Sequence, residues 1–395
     1  MKETLSYVIV TPYSVGKSRT GGIIARLLSR TQLELVGAQM VTPDENFVRD
    51  YAASLRDHEK RNLSSAGELL ADYVERNMMP IGERRRRLLL LIFRGEDACK
   101  QLSESCGALF PGNHDSEFIC GETIRDTYAD YIVDPDNPEK ILHFEPAILT
   151  PRLQESANEN MAIFARHLKN SENIIRNMTY KNPQKVEQTL VILKPENWNH
   201  GSSRPGNIID MFSRTGLRVV GTKILCFSLN QALEFYGPVE AALKEKLSPV
   251  FGHKAREVLE KEFSLTLSDG IEKSLAESFG QERAREEFYK IVEFMSGRRP
   301  DTCPPEDADK AGDVKCMLLI YEGEDAIRKI RDILGPTDPL KAPAGTIRRE
   351  FGSTIMINTA HASDSSESYE REKKIVMADD NPVISIIEDF LAARN

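Results

Sequence analysis

Short apolar runs along the chain alternate with segments in which apolar residues recur every three to four positions. Alternating or continuous apolar runs predict strands, and the three-to-four spacing predicts helices that bury one face. Strand, helix and strand follow one another in this way at residues 7–12, 22–28 and 33–40, and again at 190–195, 206–212 and 217–224. The chain therefore contains two strand–helix–strand units of one pattern.

Each unit continues in a way that makes the chain an internal repeat. An apolar run meets Gly-Glu-Asp-Ala at 95–98 and again at 323–326, and a later loop ends in Thr-Ile-Arg at 123–125 and at 346–348. This order of elements predicts an α+β protein with two tandem ferredoxin-like (βαββαβ) domains and helical insertions.

The repeat predicts a first domain at residues 1–150 and a second domain at 183–395. Residues 151–182 are polar with helical spacing, which predicts a helical linker. A helical insertion is expected in the second domain at about 239–287. The tail at 383–391 predicts a short amphipathic helix, which either packs on its own domain or contacts another copy.

Composition and charge narrow the function classes. The 395 residues are 40% hydrophobic and 29% charged, as in an ordinary globular protein. The net charge of −9 argues against general nucleic-acid binding, which needs a basic surface. The basic run at 84–87 is predicted to be a solvated stretch before a strand, with nucleic-acid contact as the alternative. We expect a cytoplasmic protein without a membrane span, because no apolar run or signal peptide indicates otherwise.

The candidate chemistry lies in the second domain, where His361 ends an apolar run. A lone histidine there is usually structural, but its imidazole accepts a phosphoryl group if one ring nitrogen is held and the other is free. Arg331 and Arg348 flank a rigid Pro- and Gly-rich loop, and guanidinium groups match phosphate oxygens. Lys194, at the end of the first strand of this domain, adds an ammonium group. These residue types predict a polyphosphate site.

Three blocks of the second domain resemble the hallmark motifs of nucleoside diphosphate kinases. The blocks are LKPEN at 193–197, GPTDPLKAPAGTIRREFG at 335–352 and NTAHASDS at 358–365. They follow one another in the order of the family's motifs and with the same internal spacing, which is far more specific than one short motif. The resemblance covers about 189–376, apart from the helical insertion and residues 301–312.

The resemblance implies transfer of the γ-phosphate of a nucleoside triphosphate to a nucleoside diphosphate by a ping-pong mechanism. It implies that His361 becomes phosphohistidine, that Glu372 holds the other imidazole nitrogen, and that Lys194 supports the transfer. The residues that it assigns to nucleotide binding are Lys194, Tyr236, Phe288, Arg331, Thr337, Arg348, Asn358 and Ser363. In this set, the ring of Phe288 stacks on the base.

The resemblance also bears on cofactors and assembly. Mg²⁺ is expected, carried mainly by the nucleotide phosphates and not by a carboxylate site of the protein. The expected partners are nucleoside di- and triphosphates and further copies of the chain, with a dimer favoured. Two departures lie inside the motifs: Ala362 replaces a glycine, and Glu196-Asn197 replaces Asp-Gly.

The first domain departs from the motifs at most chemical positions. Thr11 stands where the family has its lysine, and Ser103 stands where the first arginine belongs. Arg125 is retained, and His143 is predicted to occupy the position of the phosphorylated histidine without becoming phosphorylated. We therefore expect a degenerate copy with a structural or regulatory role.

Two other functions are compatible with these residues. A catalytically silent nucleotide-binding or scaffold protein would keep the fold without turnover. A protein histidine phosphotransferase would use the same phosphohistidine with a different acceptor. The complete set of phosphate-site residues in the second domain favours the kinase over the silent protein.

Overall fold

A computed structural model describes residues 3–62, 66–82, 86–109, 121–176 and 178–394. The elements of the N-terminal half are β1 (Glu3–Val10), α1 (Pro12–Gly16), α2 (Thr20–Arg30), β2 (Glu34–Val41), α3 (Glu45–Asn62), α4 (Ala66–Met78), β3 (Leu88–Glu96), α5 (Ala98–Cys106), α6 (Ile124–Tyr128), β4 (Asp130–Asp134), β5 (Asn137–Glu145), β6 (Ile148–Leu149) and α7 (Gln154–Leu168). Among the described residues, no helix has both the length and the apolar character needed to cross a bilayer.

The C-terminal half repeats the same order of strands with added helices. Its elements are β7 (Val186–Leu193), α8 (Arg204–Ser213), β8 (Arg218–Leu225), α9 (Leu229–Phe263), α10 (Asp269–Leu275), α11 (Gln281–Ser296), β9 (Cys316–Glu324), α12 (Ala326–Leu334), α13 (Ile347–Phe351), β10 (Ala360–Ala362), α14 (Ser366–Ile375) and α15 (Val383–Ala392). The predicted linker is helical only in α7, and the described residues that follow α7 up to 182 form no helix.

Two four-stranded sheets have the same topology. One has the strand order β2-β3-β1-β6 and the other β10-β7-β9-β8. In each, the first strand of the half lies between the third and fourth strands and pairs with both in antiparallel fashion. This is the ferredoxin-like order, so the predicted fold class of two tandem ferredoxin-like domains with helical insertions is confirmed.

The continuous apolar runs become the central strands. In β3, the run from Leu88 to Phe93 is completely buried, and β9 is buried over eight of its nine residues. Central strands covered on both faces have no polar side to present to water, which explains why these runs do not alternate. Each strand is followed by an aspartate with left-handed backbone, Asp97 (φ 48°) or Asp325 (φ 54°), which lies at the N-cap of the next helix.

The chain divides into two compact units. The first comprises Met1–Ile224, Met317–Glu370 and Met377–Asn395, and the second comprises Leu225–Cys316 and Arg371–Val376. In the second unit, α9 runs unbroken from Leu229 although Pro238 and Pro249 lie within it. The insertion that the sequence predicts from residue 239 therefore does not start a new helix, because residue 239 lies within α9.

Within the first unit, the two halves meet where α2 crosses α8. A Cβ atom on Gly21 would lie 2.5 Å from the backbone nitrogen of Asp210, and one on Gly206 would lie 2.2 Å from that of Ala25. Each glycine thus faces the residue four positions beyond the other glycine. This reciprocal contact is the pattern of a two-fold interface between like surfaces, built here within one chain.

The C-terminal tail also joins the halves. Val383, Ile384 and Ile387 of α15 are buried in a core cluster whose other buried members belong to the N-terminal half. The tail is the predicted amphipathic helix, but it packs on the other half and not on its own domain. The reason is that β2 and α7 offer it an apolar surface, which the local sequence of the tail does not reveal.

One arginine of the basic run is not solvated as predicted. Arg87 is half-buried and donates a hydrogen bond from Nη1 to the backbone oxygen of Val219 at 2.6 Å. Burial lowers the pKa of its guanidinium group from the ordinary value. Arg84 and Arg85 lie outside the described residues. Arg87 therefore contributes to the contact between the halves.

Candidate active site

The site in the first unit is built around His361 in the short strand β10. His361 lies opposite Ile192 of β7, and the backbone N–H of Ser363 donates to Leu190 O at 3.0 Å. Ser363 is completely buried, whereas His361 is half-buried. Pairing with the central strand therefore fixes the backbone on both sides of a histidine that solvent still reaches.

The lysine of the first motif lies beside the backbone that precedes this histidine. Lys194 Nζ donates to Asn358 Oδ1 at 2.7 Å and to Met356 O at 3.3 Å, and its backbone N–H donates to Thr359 O at 3.1 Å. Both Lys194 and Asn358 are buried. In these two side-chain bonds, the ammonium group donates to neutral oxygens.

The arginine of Thr-Ile-Arg joins the loop to the strand that carries His361. Arg348 Nη1 donates to Gly335 O and Nη2 donates to Ala360 O, both at 2.9 Å. Ala360 immediately precedes His361. The guanidinium group therefore holds two backbone segments together, in addition to the phosphate binding that the motif predicts.

Arg331, Thr337 and Asp364 are further polar residues of the first unit that the motifs place near His361. Arg331 and Thr337 are exposed, and Thr337 O accepts a hydrogen bond from Asn358 Nδ2 at 3.3 Å. A hydrogen bond from Ser368 lowers the pKa of Asp364, and the nearby charges of Arg331 and His361 act in the same direction. Arg331 and His361 therefore both lie near enough to Asp364 to influence its carboxylate.

Three predicted site residues belong to the second unit. Glu372 is 3% exposed and accepts from Arg371 Nη2 at 3.5 Å. Tyr236 is buried, and its ring centroid lies 5.0 Å from that of Phe235. Phe288 is only 2% exposed. Base stacking on Phe288 stays a prediction, and a ring buried to this extent has to be uncovered before a base can contact its face.

The N-terminal half has a leucine where the C-terminal half has His361. Leu149 pairs with Ile9 in the same register in which His361 pairs with Ile192. The prediction that His143 occupies this position is wrong, because His143 lies in β5, in a hairpin with β4. Sequence comparison selected the nearest histidine, whereas strand pairing shows that the chain forms an extra hairpin before its last strand.

A buried carboxylate fills the region near Thr11, the counterpart of Lys194. Glu145 Oε1 accepts from the Thr11 hydroxyl at 2.7 Å, and Oε2 accepts from the Tyr73 hydroxyl at 2.6 Å. Burial raises the pKa of Glu145, while these hydrogen bonds act in the opposite direction. The C-terminal half places an ammonium group at this position, so the two halves differ in the sign of charge that they offer to a phosphate.

In the motifs, Glu196 and Asn197 are only departures from the family, yet both contact Thr359, the residue that precedes β10. Glu196 Oε1 accepts from the backbone N–H of Thr359, and Asn197 Nδ2 donates to Thr359 O, both at 2.8 Å. The only signal in the sequence was that two polar residues replaced Asp-Gly. The sequence did not reveal these contacts with Thr359, because the two partners are 163 and 162 positions apart along the chain.

The donor set suits an anion better than a metal ion. Lys194, Arg331 and Arg348 supply hydrogen-bond donors with positive charge, and these match phosphate oxygens. Within the part of the chain that the structure describes, no three His, Cys, Asp or Glu side chains are grouped to hold a metal ion.

Comparison with known proteins identifies the family. The family model described as nucleoside diphosphate kinase matches residues 268–381. The nucleoside diphosphate kinase of Thermosipho africanus is 31% identical over 211 residues, which are 53% of this chain and 99% of that protein. That of Halorhodospira halophila is 32% identical over 187 residues, 47% of this chain and 89% of that protein. The chain belongs to the nucleoside diphosphate kinase family.

The residues that the family model matches all lie in the C-terminal half. The crystal structure of the Aquifex aeolicus nucleoside diphosphate kinase is 28% identical, and the match covers 48% of this chain and 94% of that one with a TM-score of 0.29. The family model begins after Lys194 and Tyr236. The predicted site residues inside its range are Phe288, Arg331, Thr337, Arg348, Asn358, His361, Ser363 and Glu372.

Proposed function

We propose that the chain is a nucleoside diphosphate kinase that works through phosphorylated His361. In the first half-reaction, an imidazole nitrogen of His361 attacks the γ-phosphorus of a nucleoside triphosphate. The bond to the β–γ bridging oxygen breaks, and the nucleoside diphosphate leaves. In the second half-reaction, a terminal oxygen of another nucleoside diphosphate attacks the phosphorus, and the phosphorus–nitrogen bond breaks.

The main support is the convergence of two cationic residues on the backbone that carries His361. Lys194 Nζ donates to Asn358 Oδ1 and Met356 O, and Arg348 Nη2 donates to Ala360 O. Charge spreads over the phosphoryl oxygens during transfer, and fixed cations that face these oxygens lower the barrier. Mg²⁺, carried by the nucleotide phosphates, would neutralise further charge there.

The remaining roles rest on the motif match. Arg331, Thr337, Asn358 and Ser363 are proposed to bind nucleotide, and their place in the first unit with His361 supports this assignment. The proposed roles of Glu372, Tyr236 and Phe288 follow from the motifs alone.

We propose that residues 1–150 are a degenerate copy of the domain at 183–395, joined to it by 151–182. The shared strand order and the reciprocal crossing at Gly21 and Gly206 support this proposal. The degenerate copy braces the catalytic one from within the chain, so this contact does not depend on protein concentration.

We propose further that the whole chain forms a dimer in the cytoplasm. Leu340 and Ile355 of the C-terminal half support an additional contact, because their apolar side chains are 80% and 64% exposed. Light scattering after size-exclusion chromatography tests the dimer, and a monomer at micromolar concentration contradicts it.

The decisive experiment measures intact mass after the protein is mixed with ATP and Mg²⁺, before and after a nucleoside diphosphate is added. The proposal predicts that one phosphoryl group appears, that it maps to His361, and that the diphosphate removes it. A protein that stays unlabelled is a silent nucleotide-binding or scaffold protein. A label that the diphosphate does not remove favours phosphotransfer to a partner protein.

A further inference from the structure

Thr359, two residues before His361, has an unusual backbone conformation. Its φ is 80°, in the left-handed region. A β-branched residue rarely adopts this conformation, because its Cβ substituents crowd the backbone. Such a residue persists only where its surroundings hold it in place. The contacts around Thr359 therefore determine the direction in which the chain enters β10.

The segment from Lys194 to Asn197 holds Thr359 at both of its peptide groups. The N–H of Thr359 donates to Glu196 Oε1 at 2.8 Å, and its carbonyl oxygen accepts from Asn197 Nδ2 at 2.8 Å and from the Lys194 backbone at 3.1 Å. Thr359 and Asn197 are almost completely buried. Water therefore has little access to these bonds, which strengthens them.

An arginine fixes the orientation of the Asn197 side chain. Arg204 Nε donates to Asn197 Oδ1 at 2.8 Å, and Arg204 Nη2 donates to Phe351 O at 2.6 Å. Because Asn197 Oδ1 accepts from Arg204, the amide nitrogen must be the atom that faces Thr359 O. Arg204, at the start of α8, thus connects the side chain that binds Thr359 to the end of α13.

The N-terminal half has the same turn but a different connection. Ala147 has φ 62°, its oxygen accepts from the Thr11 backbone at 3.1 Å, and its N–H donates to Glu145 Oε1 at 3.1 Å. There, the carboxylate comes from two residues before the turn, and Tyr13 stands at the position of Glu196. A left-handed residue before the last strand is thus common to both halves. Side-chain bonds from the segment that follows Lys194 hold this residue in the C-terminal half, which carries His361.

We propose that Glu196 and Asn197 are positioning residues for phosphoryl transfer. By locking Thr359, they fix the direction of β10 and so hold the His361 imidazole in line with the phosphorus, relative to the ammonium group of Lys194. This inference rests on the proposed function. A nucleophile displaced by about an ångström costs on the order of 10²-fold in rate, so the expected effect falls on the transfer step and not on nucleotide affinity.

The test compares Glu196→Ala with Glu196→Gln, which keeps an oxygen that accepts the Thr359 N–H. We expect Glu196→Ala to slow single-turnover labelling of His361 by ~10-fold or more, with the nucleotide Kd within about twofold. Glu196→Gln should recover most of the rate. Amide hydrogen exchange at 359–362 should accelerate in Glu196→Ala only. Glu260→Ala is the control, because Glu260 also accepts a backbone N–H at 2.8 Å, from Leu267.

Each outcome is decisive. Wild-type labelling and exchange in Glu196→Ala overturn the positioning role, and so does a loss confined to Kd, which would make Glu196 a ligand contact. If Glu196→Ala does not fold, Asn197→Ala removes the other half of the contact and must show the same pattern. A wild-type protein that never becomes labelled overturns the proposed kinase, and exchange at Thr359 still decides whether Glu196 holds the turn.

Discussion

The two halves of the molecule have one backbone frame and opposite chemistry. Arg125 donates to Gly107 O and Ile148 O, as Arg348 donates to Gly335 O and Ala360 O. Arg19 donates to Tyr128 O, the counterpart of the bond from Arg204 to Phe351 O. Arginines at corresponding positions thus connect the same turns in both halves.

The residues at and around the position of His361 differ between the halves. Leu149 replaces His361, Thr11 replaces Lys194, and a carboxylate from Glu145 occupies the region of Thr11. The comparison shows that an arginine within a phosphate motif is poor evidence for activity, because it also holds the fold. The histidine and the lysine carry the chemical information.

The largest difference in turnover is expected between alanine variants at His361 and at Leu149, which occupy corresponding positions in the two halves. His361→Ala should lower turnover by at least ~10³-fold, because it removes the nucleophile. Leu149→Ala should leave turnover per folded molecule unchanged and lower the free energy of unfolding by about 2–5 kcal/mol, because Leu149 is buried. Steady-state kinetics and urea unfolding measure the two effects.

A gain-of-residue variant sharpens this comparison. Leu149→His, with His361→Ala, should acquire no phosphoryl label, because the carboxylate of Glu145 replaces the ammonium group of Lys194. Label on the new histidine would show that the frame alone suffices for the chemistry.

The next largest difference is expected between alanine variants of the corresponding arginines, Arg348 and Arg125. Arg348→Ala should lower kcat/KM by ~10²-fold through the loss of a cation at the transferred group. Arg125→Ala should cost about 1–3 kcal/mol of stability through its lost hydrogen bonds and leave kcat/KM near that of the wild type. Kinetics and melting temperature are measured on both. Equal kcat/KM in both variants would make Arg348 purely structural.

The crossing of α2 and α8 offers a packing test. Gly21→Ala should destabilise the chain by about 1–3 kcal/mol, because the new methyl group meets backbone atoms that cannot move aside. Thermal unfolding measures the change. Gly237→Ala is the matched control, since a Cβ there meets no atom within 4 Å. If Gly21→Ala melts like the wild type, the halves do not brace each other through this contact.

The smallest effect concerns the pH dependence of stability. Burial raises the folded-state pKa of Glu145 above the ordinary value of 4.5. The folded state then binds the proton more tightly than the unfolded state, so this stabilisation is complete below pH 4.5 and is lost as pH rises through the folded pKa. Glu145→Gln should flatten this slope in melts recorded from pH 4.5 upward. An unchanged slope would show that Glu145 does not titrate there.

The sequence by itself determined the strand order, the repeat and the C-terminal motifs. Central strands bury both faces, so their apolar runs are visible locally, and the residues of LKPEN and NTAHASDS are adjacent in the chain. The sequence led to a wrong position for His143, because the similarity between the two halves does not show which residues pair in a sheet. It also missed that the tail packs on the other half.

Tertiary structure decided the contacts between distant segments. Glu196 and Thr359, Gly21 and Gly206, and α15 and β2 are each separated by more than a hundred positions, and no local period or spacing links them. Hydrogen bonding and close packing depend on distances of a few ångströms, which folding sets by bringing whole elements together. The residue types at the site could therefore be predicted from the sequence, whereas the hydrogen bonds that orient them form only in the folded protein.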